Sequence, residues 1–309
     1  MLDEKIQEII RSLEQEAIPP NYTLPVSEVR RISKSMVKRF AISPPPKVAL
    51  VQDVSAPIND AKIPVRVYVP KMRTDLPVLV YYHGGGWVVG DLDTPDWICR
   101  SIASLAGCLV FSVDYRLAPE NKFPTPVEDC YWAAKWVRET GFEQYADPKR
   151  MAVGGDSAGG NLAAAVCLMA RDRGGPRISF QLLICPVMNH AFDTESYRKY
   201  ADGYMLTMKD MEWFWNHYLR DRRDGQNPYA SPLLGELQSL PPALVMTAEF
   251  DPLRDEGEAY AERLRRAGVA ARTVRYDSMP HTWTDFPQLK QSEAAMIQAA
   301  AELRNILGS

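Results

Sequence analysis

The residues whose types and spacing could do chemistry centre on Ser157, in the sequence Gly155-Asp156-Ser157-Ala158-Gly159-Gly160. A strand-like run, 150–153, precedes this segment, and an apolar helical pattern follows it to about Arg173. A serine between glycines at a strand-to-helix turn is held in a strained backbone conformation, with its hydroxyl exposed as a nucleophile. The free N–H groups at the start of the helix, Ala158 first, could stabilise the negative charge that develops during acyl transfer.

A serine nucleophile needs a base to take its proton and an acid to orient that base. His281 follows the last predicted strand, where the carboxyl ends of parallel strands meet, and is the preferred base. The other histidines belong to a loop or to a predicted insertion: His83, His190 and His217. Asp251 comes just after the predicted strand 243–248 and is the preferred acid. Its competitors nearby are Glu249, Asp255 and Asp285.

A second motif, His83-Gly84-Gly85-Gly86-Trp87, directly follows the predicted strand 77–81. Three consecutive glycines leave backbone N–H groups unobstructed, so that an oxyanion could approach within hydrogen-bonding distance. A phosphate-binding loop is the alternative interpretation. No Lys-Ser or Lys-Thr pair follows the glycines, and no acidic residue stands at the dinucleotide-binding spacing, so phosphate binding is disfavoured.

Composition excludes several other classes of protein. The chain has 309 residues, 46% of them hydrophobic, and a formal net charge of −3, so it carries no basic footprint for nucleic acid. It opens without an apolar signal segment, and its longest apolar runs are too short to span a bilayer, which predicts a cytoplasmic protein. Its five cysteines are odd in number and lack C-x-x-C spacing, which predicts free thiols and no metal site.

The elements that must position these residues are those of an α/β protein. Two amphipathic helices, 2–16 and 27–40, precede alternating strands and helices, and the strands are continuous apolar runs. This alternation predicts a mostly parallel sheet flanked by helices. Residues 187–225 interrupt it with an aromatic and Met-rich segment, Tyr204 to Tyr218, which could line a pocket or simply pack a cap helix. We expect one domain, with its parts divided as follows: residues 1–45 and 187–225 as a helical cap, and residues 46–186 and 226–309 as the core.

Four motifs together resemble the hormone-sensitive-lipase family of carboxylesterases. They are His83 to Trp87, Asp114-Tyr115-Arg116-Leu117-Ala118-Pro119-Glu120, Gly155 to Gly160, and Asp251-Pro252-Leu253-Arg254-Asp255. The resemblance runs from about residue 45 to the end. It implies an α/β-hydrolase fold with an eight-stranded sheet and a helical cap. It also implies a catalytic triad of Ser157, Asp251 and His281.

The resemblance further implies oxyanion donors and a substrate class. The donors would be the N–H groups of Gly85, Gly86 and Ala158, although which two of the three loop glycines donate stays open, and His83 would orient the loop. The segment 114–120 would support the fold. The implied enzyme hydrolyses short- to medium-chain carboxylic esters through an acyl-enzyme and needs no cofactor. A homodimer through the last strand is a further expectation.

Two alternatives and one departure accompany this resemblance. An amidase could use the same triad, and a small-molecule receptor could use the same fold without catalysis, although the presence of His281 favours catalysis. The residues around His281 depart from the family pattern, because Pro280 precedes the histidine and Thr282-Trp283 follow it. The departure affects the expected shape of the pocket beside the base.

Overall fold

The computed structural model describes residues 1–58, 61–140, 142 and 145–308. Its strands are β1 Leu50–Ile58, β2 Ala61–Val69, β3 Leu76–Tyr82, β4 Leu109–Val113, β5 Ala146–Asp156, β6 Phe180–Ile184, β7 Ala243–Phe250 and β8 Ala271–Pro280. Its helices are α1 Glu4–Gln15, α2 Val26–Phe40, α3 Asp96–Ala106, α4 Thr125–Thr140, α5 Ala158–Asp172, α6 Glu195–Lys199, α7 Met208–Tyr218, α8 Arg254–Arg266 and α9 Lys290–Leu307.

The strands form one sheet in the order β1-β2-β4-β3-β5-β6-β7-β8. β2 runs antiparallel to both β1 and β4, and the strands from β4 across to β8 are parallel to their neighbours. Every residue of β3, β4 and β6 is buried, as expected for strands with helices packed on both faces. The predicted α/β fold with a mostly parallel eight-stranded sheet is confirmed.

The helices differ in how deeply they are buried. α5, which follows Ser157, is buried from Ala158 to Ala170 and lies in the centre of the molecule. In contrast, α1 and α2 are amphipathic and each buries a single residue, Ile6 and Val29. These two helices therefore lie on the outside of the core. Within the described residues, no helix combines the length and the apolar character that crossing a membrane requires.

Two strands extend further than the sequence pattern indicates. β7 continues past Ala248 to Phe250, and β8 continues through Ser278 to Pro280, because Phe250 pairs with Pro280 after a register shift. The polar residues near the end of β8 concealed this extension. As a result Asp251 and His281 each follow directly on the end of a strand, at neighbouring positions in the sheet.

β8 forms one edge of the sheet, and its residues alternate between exposed and partly buried over most of its length. This is the position predicted for a dimer contact, since an unpaired edge can add a strand from a second chain. The homodimer itself stays a prediction.

Candidate active site

Ser157 occupies a sharp turn between β5 and α5. Its backbone angles, φ 52° and ψ −118°, lie in a region that side chains rarely adopt. The turn is held because Ser157 N–H donates to Ile184 O at 2.8 Å and Ser157 O accepts from Val187 N–H at 3.2 Å. A Cβ on Gly159 would lie only 1.9 Å from Tyr82 O, so strand and helix can approach this closely only with glycine at that position. Strain and close packing together present the serine above the sheet.

Three side chains from separate parts of the chain form one hydrogen-bonded series. His281 Nε2 lies 2.9 Å from Ser157 Oγ, and His281 Nδ1 lies 2.8 Å from Asp251 Oδ2. The other carboxylate oxygen, Asp251 Oδ1, accepts from Leu253 N–H at 2.8 Å. Because Nδ1 faces a carboxylate, it carries the proton, and Nε2 is left free to accept one from the serine hydroxyl. The structure thus brings together the three residues predicted from the sequence.

The competing acids have other partners. Glu249 Oε2 accepts from Ser278 N–H at 2.8 Å, and Asp255 Oδ2 accepts from Ser196 N–H at 2.7 Å. Asp285 lies after the histidine and makes no hydrogen bond to it in the described part of the chain. Of these four acids, Asp251 is therefore the one whose carboxylate is hydrogen-bonded to His281 in the described chain.

The electrostatics of this series favour a protonated imidazole more than usual. Burial by itself would lower the pKa of His281, but the charge of Asp251 and the hydrogen bond to it act in the opposite direction, with smaller contributions from Asp285 and Asp156. The net result is that the pKa of His281 is raised above its ordinary value. An imidazolium that forms during proton transfer is stabilised by the same carboxylates.

The glycine loop lies beside the serine in a conformation that requires glycine. Gly85 has φ +108° and Gly86 has φ +57°, both in the left-handed region. The N–H of Gly84 donates to the Asp156 carboxylate, and Asp156 Oδ1 accepts from the Tyr81 hydroxyl at 2.8 Å. Within the described residues, by contrast, no acceptor is found for the N–H groups of Gly85, Gly86 or Ala158. These are the donors that remain available to a ligand.

His83 supports this loop from inside the protein. Its Nδ1 lies 2.7 Å from Gly84 O, its ring stacks on Tyr115 with centroids 4.4 Å apart, and its own carbonyl accepts from the Tyr115 hydroxyl at 2.7 Å. Burial lowers the pKa of His83 to about 4, so the ring is neutral near pH 7. Its contacts are those expected of a residue that orients the loop. The two remaining histidines pack against rings of α7: His190 on Trp215 and His217 on Trp213.

An arginine of α2 joins the outer helices to the loop. Arg30 Nε donates to Val88 O at 2.8 Å, just beyond the glycines, and its terminal nitrogens donate to Ala118 O and to the Glu120 carboxylate. Ala118 N–H in turn donates to Trp87 O at 2.9 Å. The segment 114–120 therefore contacts both α2 and the loop that carries the glycines, and its supporting role stays a prediction. We call this set of contacts the Arg30 clamp.

A cavity of about 360 Å³ opens over the serine. The outer helices supply much of its wall, and the glycine loop and Ser157 line its base. Of the aromatic and Met-rich segment 204–218, Met205 and Phe214 line the cavity, whereas Met211, Trp215 and Tyr218 are buried in the core. The segment thus combines both roles considered from the sequence, lining and packing. The other residues that line the cavity include Val29, Met36, Phe40, Trp97 and Phe286.

One cluster of the described residues has ligand atoms close enough together for a metal ion. Atoms of Cys185, Asp251 and His281 lie within 4.8 Å of one another. Asp251 and His281 are already hydrogen-bonded to each other, and burial, followed by the charge of Asp251, raises the pKa of the Cys185 thiol well above its usual range. The raised pKa favours the protonated thiol, which is a poor metal ligand, and the other two groups already bind each other.

Comparison with known proteins agrees with this geometry. A family model described as the α/β hydrolase fold matches residues 79–285. The chain belongs to the hormone-sensitive-lipase family of α/β hydrolases. It is 46% identical over 252 residues to the carboxylic ester hydrolase LipN of Mycobacterium tuberculosis, covering 79% of this chain and 67% of the relative. It is 39% identical to an arylesterase of Saccharolobus solfataricus over 258 residues, covering 83% and 84% of the two chains.

A solved structure is similar to this α/β hydrolase over nearly the full length of both chains. The thermostable esterase from Pseudomonas putida ECU1011 superposes with a TM-score of 0.95 at 39% identity, covering 99% of this chain and 98% of the other. The outer helices α1 and α2 lie within the superposed length, so they belong to the shared architecture and are not an addition peculiar to this chain.

Two supporting residues of the α/β hydrolase were not singled out from the sequence. Asp156 holds Gly84, and its place beside the serine was the available signal for a role at the site. Arg30 gave no such signal, because an arginine on an amphipathic helix usually faces solvent. Its role follows only from the approach of α2 to two distant loops.

Proposed function

We propose that this α/β hydrolase is a serine esterase that hydrolyses short- to medium-chain carboxylic esters through an acyl-enzyme. The observation that carries the proposal is the pair of contacts at His281, 2.9 Å to Ser157 Oγ and 2.8 Å to Asp251 Oδ2. The names of the similar proteins support ester bonds as the substrate class.

In the proposed reaction His281 takes the proton of Ser157 as the serine oxygen attacks the ester carbonyl. Asp251 keeps the proton on Nδ1 and stabilises the imidazolium. His281 then gives its proton to the leaving alcohol. Water, deprotonated by the same imidazole, attacks the acyl-enzyme and releases the carboxylic acid, which regenerates the serine.

The proposed oxyanion donors are the N–H groups of Gly85, Gly86 and Ala158. Support comes from the hydrogen bond between Gly84 and Asp156, which leaves the next two glycines as the loop residues with free N–H groups in the described chain. Ala158 begins α5, so its N–H has no partner within the helix. Donors fixed in this way stabilise developing charge without rearrangement during the reaction.

We further propose that residues 1–45 and 187–225 act as a cap that closes the cavity from water. The lining residues Val29, Met36 and Phe40 from the first segment, and Met205 and Phe214 from the second, support this role. A cavity of about 360 Å³ is small for a ligand site, which supports short to medium acyl chains.

The pH dependence of hydrolysis gives one test of the base. Only the neutral imidazole of His281 can accept the serine proton, so kcat/KM is expected to fall as pH falls through the pKa of His281. Because this pKa is raised, the midpoint should lie above the ordinary histidine value of about 6.5. Initial rates with an uncharged ester between pH 5 and pH 9 measure it, with circular dichroism at each pH as a control for folding. A profile that is flat across this range would remove His281 from the role of base.

A series of p-nitrophenyl esters tests the proposed function as a whole. Acyl chains from acetate to dodecanoate are hydrolysed by the purified protein, and kcat/KM is expected to be greatest at about four to eight carbons and to decline beyond, because longer chains exceed the cavity. Matched p-nitroanilides of the same acids separate an esterase from an amidase. Faster anilide than ester cleavage, or no turnover of any member by the folded protein, would contradict the proposal.

A further inference from the structure

One carboxyl group in the cavity takes no part in the triad. Asp285 ends the 3₁₀ turn Trp283–Asp285, four residues after His281, and lines the same cavity as Ser157. Asp285 is an exposed residue, and it is exposed where it lines this cavity. The turn is fixed in place, because the indole Nε1 of Trp97 donates to Thr284 O at 2.7 Å. Asp285 therefore presents a carboxyl group at a defined place in the wall of the cavity that Ser157 also lines.

The other carboxyl groups of the cavity wall have partners within the protein. Asp93 pairs with Arg66 and Asp96 pairs with Arg100, each at 2.7 Å. The Asp156 carboxylate accepts from the Tyr81 hydroxyl at 2.8 Å. The side chain of Asp285 has no hydrogen-bond or ion-pair partner among the described residues. No Lys, Arg or His is among the described residues that line the cavity. As far as the described residues show, the wall thus has one unpaired carboxyl group and no positively charged side chain.

The surroundings of Asp285 oppose its negative charge. Burial, followed by the nearby charge of Asp156, raises the pKa of Asp285 to about 8. A carboxylate that has no counter-ion in the protein is stabilised when a cation is placed beside it. A positively charged ligand would supply the partner that the protein does not. Aromatic rings of Trp97, Phe214 and Phe286 in the same wall also attract cations through their faces.

We propose that Asp285 is a specificity-determining residue, and that this esterase prefers esters carrying a methylated ammonium group over esters of the same shape that are neutral or anionic. The inference rests on the proposed esterase function and concerns the substrate class of the same cavity. The carboxylate of Asp285 would pair with the ammonium group, while the aromatic and aliphatic wall contacts its methyl groups.

A pair of esters of equal shape isolates the effect of charge. Butyrylcholine carries a quaternary nitrogen where 3,3-dimethylbutyl butyrate carries a carbon atom. In the unaltered protein, kcat/KM is expected to be about tenfold higher for the cationic ester, as for one partly screened ion pair. In Asp285→Asn the ratio of the two values should fall to about one. Asp277→Asn, which removes the same charge from an exposed position on β8 outside the cavity, should keep the ratio of the unaltered protein.

A binding measurement separates recognition from turnover. Choline is expected to inhibit hydrolysis of the neutral ester competitively, about tenfold more weakly in Asp285→Asn than in the unaltered protein. The neutral alcohol 3,3-dimethylbutan-1-ol should inhibit both proteins alike. An anionic ester should show the opposite effect. In the unaltered protein, kcat/KM should be lower for monomethyl succinate than for the neutral methyl levulinate, and this difference should shrink in Asp285→Asn.

The outcomes distinguish this inference from the proposed function. Hydrolysis of both butyrate esters with equal kcat/KM, or an unchanged ratio in Asp285→Asn, would overturn the role of Asp285 and leave the esterase assignment standing. If the folded, unaltered protein hydrolysed neither butyrate ester and no p-nitrophenyl ester, the esterase function and the role of Asp285 would be overturned together.

Discussion

Ser157→Ala is expected to reduce kcat/KM for p-nitrophenyl butyrate by about 10⁴-fold or more, because the substitution removes the atom that forms the acyl-enzyme. His281 Nε2 then has no hydroxyl within 2.9 Å, and only the backbone donors and the binding of substrate remain to assist attack by water. Alanine fits the space of serine, and the hydrogen bonds of the turn are made by the backbone, so the fold is expected to persist.

Two controls accompany this measurement. Ser35→Ala removes a hydroxyl from an exposed position on α2 and should retain full activity. A fluorophosphonate should modify the unaltered protein once, at Ser157, and should leave Ser157→Ala unmodified, as mass spectrometry of peptides can establish. If Ser157→Ala hydrolysed the ester at a rate near that of the unaltered protein, the nucleophile would have to be sought elsewhere.

Asp251→Asn is expected to lower kcat by about 10³-fold to 10⁴-fold with little change in KM. The amide nitrogen of asparagine can donate a hydrogen bond to His281 Nδ1, which moves the proton of the imidazole to Nε2. In that tautomer Nε2 faces Ser157 Oγ as a donor and cannot accept the serine proton. The size of asparagine matches that of aspartate, so the hydrogen bond from Leu253 N–H is preserved.

Asp255→Asn is the matched control for this second prediction, because Asp255 was a competing acid in the same segment. Its carboxylate binds Ser196 N–H and Arg254 and does not touch the imidazole. We expect it to retain kcat within about threefold, since its changes are confined to those two contacts. Equal losses in both variants would mean that the segment matters for its conformation and that Asp251 has no special part in orienting His281.

Much of the fold was predictable because its strands are continuous apolar runs separated by amphipathic helices. The chemistry followed from short motifs at the ends of those strands. Ser157 and His281 are 124 residues apart, yet both follow strands of one parallel sheet, and such ends meet at the same edge. A local pattern could therefore predict a distant contact.

Other features were not predictable, because they depend on how close two loops come. The pairing of Gly84 with Asp156, which leaves Gly85 and Gly86 free, arises from the approach of the glycine loop to the serine turn. The Arg30 clamp arises from the placement of α2. Asp285 could be weighed from the sequence only as an acid for the triad, because nothing local shows that it faces a cavity without a partner. The full lengths of β7 and β8 depend on a register shift between the two strands.

The position of β8 at the edge of the sheet bears on how the enzyme loses activity on heating. His281 directly follows the end of this strand, which pairs with β7 on one side and, among the described residues, with no strand on the other. Ser157 is carried by interior β5, with a neighbour on each side. An edge strand can detach from a sheet at a lower free-energy cost than an interior strand. On heating, we therefore expect β8 and His281 to detach while β5 and Ser157 are still folded, so that fraying of this edge would limit how long activity lasts.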